Sequence, residues 1–149
     1  MADSNLDAGI VPLMGLSEDE LELELGRRLE QIRDEVDRNQ LPTAVHPTGP
    51  IVDRSSLQAL PVGVRNVAQS FLKHFSRQMR ALVCDEKDAD HAKLVKAANE
   101  GVQNLALMLS GMLIASFGWL PGIATVIAML LAKRILSAGL ATLCENWNP

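Results

Sequence analysis

The chain contains no tyrosine, only three phenylalanines and two tryptophans, so aromatic residues make up 3% of it. Strands draw on aromatic and β-branched side chains, and this scarcity points toward an all-α protein. It also leaves few rings to stack on bases. Together with a net charge of −4, that argues against a nucleic-acid binder. Cysteine is scarce as well. Cys84 and Cys144 are too few for a disulfide scaffold, and the expected state is two buried free thiols in a reducing cytoplasm. A single bridge between two helix ends is the alternative, and it needs a Cα approach that spacing cannot establish. The first twenty residues have neither a basic n-region nor a long apolar core, so no secretory signal is expected and the location is read as cytoplasmic, with membrane association open.

Motifs for chemistry are equally sparse. His46, His74 and His91 form no metal-ligand spacing with one another or with a cysteine. Glu86, Asp88 and Asp90 alternate like a calcium loop, but His91 stands where glycine is needed and Ala97 where the bidentate glutamate belongs. No nucleophile elbow, phosphate-cradling glycine loop or H-E-x-x-H occurs. The expectation is a non-enzymatic protein with no catalytic residues, cofactor, metal or small-molecule substrate.

Charge is missing from one half. Residues 1–100 hold 29 of the 32 Asp, Glu, Lys and Arg, and Gly101 to Ala132 carries none. This is the most informative feature of the chain. The segment Gly101–Leu120 is 20 residues long, about what a hydrocarbon core of roughly 30 Å requires, and Trp119 suits an interface. Pro121-Gly122 interrupts the run, and Lys133-Arg134 ends it, so a plain two-span hairpin does not fit. Leu105, Leu109, Leu113, Trp119, Ile127 and Leu131 are the candidates for membrane contact or subunit packing. Lys133 and Arg134 would mark a headgroup-facing end. The alternative is a permanently soluble bundle whose apolar hairpin, turning at Pro121-Gly122, is its own core. An intermediate arrangement, by architectural analogy with pore-forming domains of colicin type, hides the hairpin and releases it into a membrane.

About four helices are expected, as a helical bundle with an apolar C-terminal hairpin over 101–145. Residues 1–15 mix Gly, Pro and small residues and read as a flexible lead-in. Residues 16–38 form an acidic amphipathic helix, opened by the Ser17–Glu20 capping box and carrying a narrow stripe of Leu21, Leu25, Ile32 and Val36. That stripe is a seam for a partner helix or part of the chain's own core. Glu24 and Arg28 read as an i,i+4 pair on the outer surface. Residues 39–60 hold Pro42, Pro47 and Pro50 and read as a linker, either a strap or a tether. Residues 61–149 make up the bundle, with one helix from Pro61 to Val83 and another opened by Asp88 as N-cap. Lys73, Arg77 and Arg80 share one helical face and would meet anionic lipid or an acidic partner, or else pair with the acidic first helix. The functional expectation is membrane association or subunit packing through the apolar hairpin, with a protein partner or self-association through the charged half.

Overall fold

A computed structural model describes residues 2–48, 56–57, 59–85 and 89–147, and among these there are eight α-helices and no strand. They are α1 (Ala2–Ile10), α2 (Glu18–Asp37), α3 (Val62–His74), α4 (Ser76–Cys84), α5 (Ala89–Glu100), α6 (Val102–Phe117), α7 (Pro121–Ala138) and α8 (Leu140–Asn146). The all-α expectation stands, but the count is twice that expected. Three long helices read from periodicity are each broken once. Phe75 separates α3 from α4, and Gly101 and Gly139 separate α5 from α6 and α7 from α8. The two glycines adopt φ of +118° and +86°, a region that L-residues avoid, so the helical ladder stops there. Periodicity runs on across such breaks because the flanking apolar residues keep their phase.

The N-terminal stretch differs from the flexible lead-in expected. Ala2–Ile10 is helical, a 3-10 turn at Val11–Leu13 follows, and Leu6, Ile10, Leu13 and Leu16 are buried. Pro12 belongs to the first turn of that 3-10 segment, where its missing N–H costs nothing. Small residues had suggested disorder; four well-spaced apolar side chains tie the segment to the core instead. The capping box of α2 forms as expected. Ser17 Oγ accepts from the Glu20 N–H at 3.1 Å, and Glu20 Oε1 accepts from the Ser17 N–H at 2.9 Å.

The core is built around α7. Residues 122–132 are buried without exception, and nine of them are apolar side chains at 3% exposure or less, Ile127 and Leu131 among them. Its most extensive partner is α6, which contributes Leu105, Leu109 and Leu113 at 0%; α2 and α1 pack on it too. Ser110, buried within α6, satisfies its hydroxyl by donating to the Ala106 carbonyl at 2.8 Å.

The described part of the 39–60 segment, up to Thr48, is a strap across the start of α7. Thr43 donates from its N–H and hydroxyl to the Glu35 carboxylate at 3.0 and 2.5 Å, which fixes a 3-10 turn at Thr43–Val45. Ala44 then presses against Gly122: a Cβ there would lie 2.8 Å from the Ala44 Cα. Thr125 Oγ1 donates to the Pro47 carbonyl at 3.2 Å. Residues 49–55 and Asp88, including the Pro50 and N-cap readings, lie outside the described residues.

Cys84 and Cys144 form a disulfide, which replaces the expectation of free thiols. The end of α4 and the end of α8 bring their Cα atoms to 5.8 Å, within bridging range. A separation of 60 residues gave no hint of that approach.

Candidate functional site: a polar frame around the core helix and an apolar groove beside it

Both ends of α7 are held by the charged half of the chain. At its start, Arg28 of α2 reaches inward. Its Nη1 donates to the Gly122 carbonyl at 2.7 Å, and its Nη2 donates to the Thr48 carbonyl at 3.1 Å. Its Nε donates to Glu24 Oε2 at 2.5 Å, while Arg27 binds the same carboxylate through Nε and Nη2 at 2.6–2.9 Å. The Glu24 and Arg28 side chains are 0% and 1% exposed, so the pair expected on the outer surface is buried. The reason is geometric. Packing by α3 on one side and α7 on the other widens the buried arc of α2 beyond its Leu21/Leu25 stripe. Burial lowers the Arg28 pKa below its ordinary value, and the adjacent Glu24 carboxylate opposes that shift.

At the far end, Lys133 Nζ donates to the Met14 carbonyl at 2.8 Å and to the Leu16 carbonyl. Arg134 Nε donates to Glu18 Oε1 at 2.9 Å, and its Nη2 lies 3.4 Å from Glu22 Oε1. The two cations read as a headgroup-facing end thus engage the N-terminal segment and α2.

Beside this frame lies an apolar groove of about 240 Å³, between α2, α3 and the connection from α6 to α7. Leu29 and Ile32 form one wall, Phe71 the second, and Trp119, Leu120 and Ile123 the third. Trp119 stands at the centre of a ring cluster, with centroids 5.3 Å from Phe71, 5.1 Å from Phe75 and 4.8 Å from Phe117. All four rings are partly exposed. Four of the chain's five aromatic side chains are therefore gathered on one face. His74 packs edge-on against Phe75 at 4.8 Å and lines a neighbouring cleft with Lys73, Arg77 and Gln78.

The structure divides the candidate residues of the sequence into groups. Leu105, Leu109, Leu113, Ile127 and Leu131 are core; Trp119 alone of that set reaches the surface, in the groove. Of the seam, Leu21 and Leu25 are buried at 0%, Ile32 lines the groove, and Val36 is 55% exposed. The basic stripe is split by the break at Phe75. Lys73 and Arg77 are exposed in one cleft, whereas Arg80 is half-buried and donates to the Cys144 carbonyl at 3.2 Å. Among the described residues no ion pair joins Lys73 or Arg77 to α2, whose acids instead bind Arg27, Arg28 and Arg134. Phe71, Leu120 and Ile123 also line the groove, which their helical spacing alone does not indicate. Their signal was the concentration of rare rings at 71, 75, 117 and 119. Among the described residues no cluster of three or more His, Cys, Asp or Glu is placed to hold a metal ion.

No family model, curated protein or solved structure matches this chain.

Proposed function

We propose that this chain is a non-enzymatic helical-bundle adaptor, in which α6 and α7 form an apolar hairpin that serves as the protein's own core. Its activity is to dock an amphipathic helix of a partner protein in the groove beside Trp119. One observation carries this reading: the surface end of the α2 stripe and the exposed aromatic cluster meet in a single concave apolar site. A helix laid in such a groove inserts apolar anchors at i, i+3, i+4 and i+7. The occupant is an acidic helix, because Lys73 and Arg77 border the cluster and supply the complementary charge.

The test is a fluorescence titration of the full chain with two helical peptides that share one apolar face, one acidic and one basic on the flanks. In a Trp147→Phe background, which leaves Trp119 as the sole tryptophan, the acidic peptide is expected to shift the emission, with binding weakened by Ile32→Asp and by Lys73→Glu/Arg77→Glu. Equal response to both peptides, or to neither, would sink the reading. A concentration-dependent rise in mass that Ile32→Asp abolishes would make a second copy the occupant instead.

A second reading, conditional membrane insertion, draws support from α7 itself. It has 18 residues with a mean hydropathy of 1.5, long and apolar enough to cross a bilayer, although 67% of it is buried in the chain. Under that reading the contacts of Arg28 and Lys133 must break before α7 reaches lipid. Flotation of the full chain with anionic vesicles tests it, and a variant that loses the frame, Arg28→Met, is then expected to float more.

A further inference from the structure

The C-terminal helix is attached differently from the rest of the fold. None of the seven residues of α8 is buried, and its main neighbours are α4 and α7. It joins α7 through the exposed Gly139, whose φ of +86° breaks the helix between the two. It is tied to α4 by the Cys84–Cys144 disulfide, by the Arg80 bond to the Cys144 carbonyl and, just past its end, by the Trp147 Nε1 bond to Ser76 Oγ at 2.8 Å. Both cysteines are only half-buried. They line a cavity of about 450 Å³ with Arg80, His91, Val95 and Leu140.

We infer that this disulfide is a redox clasp: exchange with a low-molecular-weight thiol opens it, and α8 then swings away from α4 about Gly139. A reductant thiolate attacks one of the two sulfurs and forms a mixed disulfide. The other protein sulfur leaves with the bonding electron pair as a thiolate and takes a proton. A second reductant thiolate attacks the mixed disulfide, releasing the second protein thiol and the oxidised reductant. Two thiols thus supply two electrons and two protons.

The consequence is local. Leu140 and Leu143 leave the edge of the core, and Trp147 leaves the cleft that it lines with Met79 and Leu131. The contacts that α7 makes with α6, α2 and α1 do not involve α8 and persist. This inference does not depend on the groove, whose lining includes no residue of α4 or α8.

Trp119→Phe leaves Trp147 as the sole tryptophan and therefore as the reporter. On reduction, with both thiols verified by titration, Trp147 emission is expected to move to longer wavelength and its acrylamide quenching to rise about twofold, while helical ellipticity is retained. Cys84→Ser/Cys144→Ser in that background should give the same spectrum without reductant. In the chain that keeps Trp119, amide exchange at 140–146 should rise on reduction and remain slow at 122–132. Unchanged emission after complete reduction would overturn the clasp, and so would collapse of helicity, which would make the bond a staple for the whole fold.

Discussion

The buried Glu24–Arg28 pair gives the sharpest energetic prediction. Glu24→Gln keeps the shape of the side chain and removes its charge, leaving the Arg28 guanidinium 1% exposed without a counter-ion. Breaking a buried pair in this way costs about 3–5 kcal/mol, and the lower end applies here because the amide oxygen still accepts one hydrogen bond. For a chain of 149 residues, the unfolding entropy near the midpoint is about 0.3 kcal/mol per kelvin, so a loss of ~3 kcal/mol lowers Tm by roughly 10 °C. Urea unfolding followed by ellipticity measures it, with Glu18→Gln as control. The Arg134–Glu18 pair is 36% and 45% exposed, and its loss should cost less than about 1 kcal/mol. Burial already outweighs the attraction of Glu24 in lowering the Arg28 pKa, so the pair is not itself a large source of stability. Glu24→Leu/Arg28→Met should therefore cost less than the sum of the two single changes. If Glu24→Gln and Glu18→Gln prove equally mild, Arg28 is solvated and the polar frame around α7 is wrong.

Other outcomes follow from packing and covalent structure. Gly26→Ala places a Cβ 2.1 Å from the Val64 carbonyl oxygen, so α2 and α3 must separate; a loss of about 1–3 kcal/mol in urea unfolding is expected. Leu109→Ala, at a fully buried site facing the core, should cost about 2–5 kcal/mol in the same assay. Reduction of the disulfide relaxes a constraint between residues 60 apart and should lower global stability by less than the chain-entropy limit of about 4 kcal/mol, because release of α8 loosens the native state as well; denaturation with and without reductant measures it.

What could be read from sequence was whatever neighbouring residues determine. Ser17 and Glu20 announce the start of α2 because both partners of the capping box lie within one turn. The uncharged run from Gly101 to Ala132 announces something that must be covered, since its composition alone forbids exposure to water. What covers it was not legible. Arg28 meets the Gly122 carbonyl across 94 residues, and Lys133 meets Met14 across 119; no local pattern encodes either. The same holds for Cys84 and Cys144. Glu24 and Arg28 carried a local pattern that misled, because the spacing of a surface ion pair is also that of a buried one. The groove was half legible. Ile32 and Trp119 were each picked out for a different role, and only the packing of α3 between them joins the two.

The apolar run forms the core of this chain rather than a surface for lipid. Amide hydrogen exchange of the full chain in detergent-free buffer tests it most directly. If the account holds, residues 122–132 of α7 exchange only through global unfolding and are the slowest amides of the molecule. Rapid exchange there, or protection that arises only once detergent or lipid is added, would contradict it.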